Sequence, residues 1–169
     1  MFSFIDHLYG AVDVRLNRFF LKIFHKPDAT FLDSNIYLGG VNKIPILSKF
    51  GITAILDLRE EANDSEIELD KYSISYLRIK IKDRSCPSEE QTLQAINWIK
   101  SMLQKNKKIF VHCNLGRGRA PLISCAYFLS TGKSSSDSVS MIKSKRRYVF
   151  LNKIQLKFLQ NFEKKYFHK

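Results

Sequence analysis

Cysteine is sparse in this sequence. The three that occur, Cys86, Cys113 and Cys125, are odd in number, irregularly spaced and without a C-x-x-C pair. That pattern speaks against a disulfide framework, and the first residues carry no basic region followed by the apolar stretch of a secretory leader, so a reducing compartment is expected. No apolar run approaches the roughly 20 residues a membrane-spanning helix needs, and the chain is not expected to cross a bilayer. The nucleotide-binding loops are missing too. There is no G-x-x-x-x-G-K-[ST], and the third glycine of a G-x-G-x-x-G would fall on Pro121. Acidic residues are few, 16 against 28 lysines and arginines, and residues 101–169 hold fifteen of those cations against two acids. The net charge is therefore +1 over residues 1–30, −2 over 31–100 and +13 over 101–169. A concentrated basic field favours polyanions such as phosphorylated ligands, anionic lipid surfaces or nucleic acid. The plain alternative is a set of lysines that keeps a helix face soluble.

What is present is apolar and aromatic. A chain of 169 residues with 44% apolar content, thirteen Phe and seven Tyr fits one domain around one core. Within residues 4–24, Ile5, Leu8, Val12, Leu16, Phe19 and Ile23 recur at helical period, and Lys26-Pro27 ends the pattern. Residues 1–30 thus read as an amphipathic helical extension ahead of a domain over residues 31–169. With Arg15, Arg18 and Lys22 the helix suits a lipid surface, and it equally suits packing on its own domain.

Beyond the extension, strands and helices alternate. NIYLGG, ITAILDLRE, ISYLRIKI and KIFVH read as strands. Helices are predicted over IPILSKF, EEQTLQAINWIKSMLQ, RAPLISCAYFLS, Ser135–Arg147 and Asn152–Phe167, with Gly51 and Gly132 as stops. Ser88 with Gln91 three residues on makes a capping box for the second of these. Leu93, Ile96, Ile99 and Leu103 mark its core side, while Ile154, Leu156, Phe158, Leu159, Phe162 and Phe167 are the apolar positions of the last helix. Glu60 to Asp70 reads as a solvated loop. The pattern predicts an α/β fold: a single domain with a central, mostly parallel sheet of four to five strands and helices on both faces.

The segment VHCNLGRGRAP, residues 111–121, lies between the strand KIFVH and the helix RAPLISCAYFLS. A glycine-bearing loop leaving a strand for a helix turns backbone N–H groups inward, together with the positive end of the helix dipole, and so cradles phosphate. Gly116 and Gly118 permit positive dihedrals and close backbone approach. Cys113 stands at the mouth, where the groups that hold phosphate also stabilise a thiolate. Arg119, six residues on, can grip two phosphoryl oxygens with its planar fork. Displacing an alkoxide from phosphorus also needs a proton donor. Asp83, at the end of a predicted strand and the start of the break DRSCPS, fits that role, whereas Asp57 reads as a residue that orders turns within an apolar strand.

With H-C-x₅-R and the acid loop in view, the chain resembles the cysteine-dependent protein tyrosine phosphatase superfamily, in its compact dual-specificity branch, from about Asp33 to Phe162. The resemblance implies that Cys113 is the nucleophile forming a phosphocysteine, Arg119 the phosphate clamp and Asp83 the acid that then activates water. His112, Asn114, Leu115, Gly116, Arg117, Gly118 and Ala120 would form the substrate-binding loop, His112 also holding the thiolate, with no metal and no cofactor. Most members follow the arginine with Ser or Thr, and here it is Ala120. The GRAP sequence and KSKRRYVFLNKIQLKFL are similar to the phosphatases of regenerating liver, which carry Ala-Pro there and turn over slowly. The prenylation box of that group is missing, since the sequence ends YFHK. Arg117 stands where lipid-directed members often carry a cation. The expected substrates are therefore phosphotyrosine or phosphoserine/threonine proteins or a phosphoinositide-type lipid, in the cytoplasm, with peripheral membrane contact through the N-terminal helix as the alternative to that helix packing on its own domain. The alternative that Ala120 leaves open is a weak, phosphate-recognising pseudo-phosphatase that binds a partner. Cys86 could pair with Cys113 under oxidation or be a plain loop thiol. KSKRR, at a helix end where cations suit the dipole, is not expected to bind nucleic acid.

Overall fold

A computed structural model describes residues 26–167 together with Val12, Leu16, Phe19 and Leu21. Those four are helical, and Val12, Leu16 and Phe19 are exposed. The rest of the anticipated amphipathic helix, Arg15, Arg18 and Lys22 included, lies outside the described residues.

Five strands form one mixed sheet in the order β1-β2-β5-β3-β4. Strand β1 (Ala29–Asp33) was not anticipated. It pairs antiparallel with β2 (Ile36–Gly39) across Ser34 and Asn35, whose φ values of 45° and 68° make the two-residue hairpin turn that matches strand twist. The other pairings are parallel, joining β2 to β5 (Ile109–His112), β5 to β3 (Ala54–Arg59) and β3 to β4 (Ser75–Ile81). Strands β3 and β5 are buried throughout. A sheet covered on both faces asks for continuous apolar runs of this kind rather than alternation.

Helices α1 (Ile44–Lys49) and α2 (Glu66–Lys71) belong to one face, where Ile44, Leu47 and Leu69 pack with Ile55 and Phe110. Helix α2 stands where a solvated loop was expected. Ser65 Oγ accepts from the Glu68 N–H at its start, Glu66 and Glu68 suit the positive end of its dipole, and Leu69 anchors it in the core.

The other face carries α3 (Glu89–Gln104), α4 (Arg119–Leu129), α5 (Ser135–Lys145) and α6 (Lys153–Tyr166). The predicted Ser88–Gln91 capping box is present with both of its hydrogen bonds. Every residue of α4 is buried, because α3, α5, α6 and the sheet surround it. Helix α5 stops at Lys145 rather than Arg147, since Arg146 adopts extended dihedrals and turns inward. On α6, Leu159 and Phe162 are buried as expected, but Ile154 is 69% exposed.

The consequence for function is positional. The loop 113–118 leaves the C-terminal end of the central strand β5 and enters the most buried helix, which is where parallel α/β sheets place their ligands. Among the described residues, no helix is long and apolar enough to cross a membrane.

Candidate active site

The loop between β5 and α4 is shaped from behind. Gly116 has φ +65°, and a Cβ on it would lie 2.4 Å from the carbonyl carbon of Gly39 and 2.7 Å from Arg146 Nη2. Only glycine fits there. Gly118 corrects the expectation made for it: its φ is −124°, and a Cβ would meet nothing closer than 3.7 Å.

Arg146 engages all five of its N–H donors behind this loop. Nε donates to Gly116 O at 2.9 Å and Nη2 to Leu115 O at 3.1 Å. The remaining three reach Asp28 Oδ1 at 2.7 Å, Asp28 Oδ2 at 3.0 Å and Thr30 Oγ1 at 3.1 Å. Asp28 is itself buried and accepts from the Gly40 N–H at 3.1 Å. Within KSKRR, then, Arg146 is not a helix-end surface cation but an interior brace.

The front of the loop opens on a cavity of about 440 Å³. Of the residues singled out in the sequence, Asp83, Cys113, Asn114, Leu115, Arg117, Gly118 and Arg119 line it. His112, Gly116 and Ala120 do not. Arg84, Phe150, Asn152 and Gln155 line it as well and were not anticipated as site residues. Cys113 is 3% exposed. Burial and then the charge of Arg84 lower the pKa of the Arg117 guanidinium, which also donates from Nε to Tyr148 O at 3.0 Å. Two cations are therefore neighbours at this wall.

Arg119 is 1% exposed, and the allocation of its five donors decides what it can bind. Nη1 and Nη2 each donate to one oxygen of Glu61 at 2.7 Å, a bidentate end-on pair. Nη1 also donates to Ile81 O at 3.0 Å. What remains is the side edge, Nε–H and the second Nη2 hydrogen. Among the described residues Nε has no partner, and Nη2 lies 3.2 Å from Asp83 Oδ1. Two parallel donors on one edge of a guanidinium match two oxygens of a phosphoryl group. The hydrogen bond to Arg119 lowers the Glu61 pKa to about 2, so the clamp's anchor stays ionised at any working pH. Glu61 was missed in the sequence, where it sat inside the supposed solvated loop.

His112 was expected to hold the thiolate and touch substrate; it does not line the cavity. It stacks on Phe110 at 5.4 Å, and Nε2 lies 3.1 Å from Asp64 Oδ2. Asp64 belongs to a buried cluster with Asp57, Arg59 and Tyr76. Arg59 donates to Asp57 at 2.8 and 2.7 Å and to Asp64 at 2.6 Å, while the Tyr76 hydroxyl donates to Asp57 Oδ2 at 2.9 Å. Burial alone would raise the Asp64 carboxyl, but His112 and Arg59 outweigh it and hold it below its ordinary value. Asp57, Asp64 and His112 are grouped closely enough to share a metal ion, yet the Arg59 guanidinium already supplies the positive charge to both carboxylates. The cluster ties the end of β3 to the end of β5, beneath the loop.

All three cysteines are free thiols. Burial pushes the Cys125 thiol up to about 12 and also raises Cys86, which does not line the cavity.

Known proteins resemble the chain in both sequence and fold. A family model described as "Dual specificity phosphatase, catalytic domain" matches residues 36–165. The Mus musculus protein named "Protein tyrosine phosphatase type IVA 2" is 27% identical over 121 residues, covering 70% of this chain and 71% of that protein. An Arabidopsis thaliana protein named "Phosphatidylglycerophosphate phosphatase PTPMT1" is 30% identical over 129 residues, covering 72% of this chain and 38% of that protein. The crystal structure of Tk-PTP in its active form superposes with a TM-score of 0.75 at 25% identity, covering 82% of this chain and 97% of that one.

Proposed function

The chain belongs to the dual specificity phosphatase catalytic-domain family, and from that premise we propose that it is an active phosphomonoester hydrolase working through a phosphocysteine. The Cys113 thiolate attacks phosphorus. The S–P bond forms as the ester P–O bond breaks, and Asp83 gives its proton to the departing oxygen. Water then attacks the phosphocysteine, Asp83 takes its proton, and the S–P bond breaks to return the thiolate with inorganic phosphate. The side edge of Arg119 and backbone N–H groups of the loop 114–118 hold the phosphoryl oxygens through both steps. No step calls for a metal or a cofactor.

The observation that carries this reading is the side edge of Arg119, whose buried Nε has no partner among the described residues and whose Nη2 pairs with Asp83 at 3.2 Å. A buried donor without a partner is costly, and a phosphoryl oxygen would remove that cost.

The substrate is a phosphorylated protein or an anionic phospholipid. Arg84 and Arg117 at the cavity wall, the basic last third of the chain and the name of the Arabidopsis relative support the lipid. The name of the mouse relative supports the protein. In this reading the chain ahead of Asp28 touches the membrane surface peripherally from the cytoplasm, whereas Asp28, Ala29 and Thr30, placed in the extension by the sequence pattern, belong to the phosphatase domain through Arg146 and strand β1.

Phosphate release from phosphotyrosine and phosphothreonine peptides and from phosphoinositide and phosphatidylglycerophosphate vesicles, each beside a Cys113→Ser control, tests the proposal. At least one substrate is expected to release phosphate in a Cys113-dependent way. Ala120 favours a second reading, a module that recognises phosphate and holds a partner without turnover. Vanadate binding with no phosphate release from any substrate would establish that reading instead.

A further inference from the structure

The capping box of α6 does more than start a helix. Asn152 Oδ1 accepts from the Gln155 N–H at 2.9 Å, and Gln155 Oε1 accepts from the Asn152 N–H at 3.1 Å, the reciprocal pair that satisfies a helix start. Each of these amide side chains still has its NH₂ group to place, and neither places it on its own helix. Asn152 Nδ2 donates to Arg84 O at 2.7 Å, and Gln155 Nε2 donates to Ser85 O at 3.0 Å. Arg84 and Ser85 are the two residues that follow Asp83. Arg84 has φ 62°, a left-handed conformation that a non-glycine residue adopts only where its surroundings impose it.

The same segment holds the loop of Cys113. The Phe150 N–H donates to Arg117 O at 2.8 Å, and Arg117 Nε donates back to Tyr148 O at 3.0 Å. Residues 148–155 thus clasp both walls of the cavity, one through residues 148 and 150 and the other through 152 and 155. Ser85 closes the turn around Asp83 by donating from its N–H and Oγ to Lys82 O, but the Asp83 side chain is 69% exposed and among the described residues its ion pair is with Arg119, at 3.2 Å.

We propose that Asn152 and Gln155 are positioning residues for the general acid, latching the loop of Asp83 over the cavity through the amide donors that the helix cap leaves unused. The inference rests on the reading of Asp83 as the acid and extends it to how the acid is held. It also explains the residue types. Serine or aspartate at position 152 and glutamate at 155 would cap α6 as well, but none of them carries an NH₂ group that can reach the loop.

That difference supplies the test. Asn152→Ser and Gln155→Glu keep the cap oxygens and delete the latch donors. Each is assayed in the full chain beside Asp83→Asn, on phenyl phosphate, whose leaving group needs protonation, and on 2,4-dinitrophenyl phosphate, whose leaving group does not. Thermal unfolding and vanadate affinity report fold and the Cys113 loop. The expected result is that both latch variants copy Asp83→Asn in kind. Because kcat/KM reports phosphoenzyme formation and not the later decay that Asp83 also serves, it is the quantity read: on phenyl phosphate it falls by about 10- to 100-fold, reaching the lower end of the roughly 10²- to 10⁴-fold that general acid catalysis contributes, and on the dinitrophenyl ester by less than about threefold. The alkaline limb of the pH–rate profile flattens as well, while vanadate affinity holds in Asn152→Ser, the variant that adds no charge to the cavity wall. If Asp83→Asn shows this selectivity and the latch variants lose activity equally on both esters, or on neither, the latch is refuted and the acid stands. If Asp83→Asn itself is unselective, the acid assignment fails and takes the latch with it.

Discussion

Replacing Arg146 by Met removes a side chain that touches no substrate, and the structure sets the cost. Arg146 and Asp28 are 9% and 7% exposed, and their pairing is bidentate, at 2.7 and 3.0 Å. Losing the cation leaves Asp28 buried with the Gly40 N–H and no counter-charge, and it strips the donors from Gly116 O and Leu115 O. Breaking one side of a buried ion pair costs about 3–5 kcal/mol. Total stability for a domain is about 5–15 kcal/mol, so this is a large fraction of it. Urea unfolding is the assay, with Arg146→Met, Asp28→Asn and the double variant forming a cycle. The double variant is expected to recover about half or more of the loss, because the stranded carboxylate is what costs most. Arg146→Lys is expected to fall between, since an ammonium has three donors and no planar fork for five acceptors. Vanadate affinity drops alongside stability, because the loop is shaped by the same guanidinium. A loss below about 1 kcal/mol for Arg146→Met, or a double variant whose loss equals the sum of the singles, would refute the reasoning.

Glu61→Gln leaves one arm of the Arg119 fork weakly held, and kcat/KM is expected to fall by roughly 10-fold or more, with Arg119 free to leave its productive orientation. The folded-state pKa of Glu61, about 2, lies below its ordinary 4.5. Its stabilising contribution is therefore complete above 4.5 and is lost as pH falls through about 2. Thermal melts of wild type and variant should keep a constant separation from pH 8 to 5 and converge only below about 4.5; convergence already at pH 6 would contradict the pairing. Ala120→Ser places a hydroxyl at the fully buried start of α4, where the resemblance implies that a Ser or Thr hydroxyl bonds the leaving thiolate. Stopped-flow traces should show a smaller initial burst and a steady state faster by roughly tenfold, about 1.4 kcal/mol off the barrier to decay, whereas an unchanged burst would show that the missing hydroxyl does not limit turnover.

What the sequence reveals and what it hides divide along the range of the interactions involved. Strand β3 opens on the apolar run Ala54–Leu56, helix α4 is largely apolar from Ala120 on, and the Ser88–Gln91 box spans three residues, so local pattern suffices for all three. The family and the mostly parallel α/β sheet followed from such local patterns together with the H-C-x₅-R spacing, and residues 36–165 match that family. Cys113, Arg119 and Asp83 do line one cavity. The partners that shape it are remote in the chain: Glu61 is 58 residues from Arg119, and Asp28 is 118 from Arg146. No periodicity marks a charge whose counter-charge arrives from another element. For the same reason Glu60–Asp70 read as solvent-facing, although Asp64 is buried against Arg59 and His112. Strand β1 escaped because ATFLD buries one side chain, Leu32, and carries neither the alternation nor the apolar run of a strand. Gly118 misled because glycine next to a phosphate loop suggests positive φ, whereas here it is the entry to α4 that sets the conformation.

The central claim is that phosphate passes through Cys113. The most direct measurement is mass spectrometry of the protein quenched during turnover of an aryl phosphate, with peptide mapping of the adduct. A phosphoryl group on the peptide bearing Cys113, absent in Cys113→Ser and more abundant in wild type than in Ala120→Ser, is the predicted result. Phosphate released at an undiminished rate by Cys113→Ser, or an adduct mapped to another residue, would contradict the account.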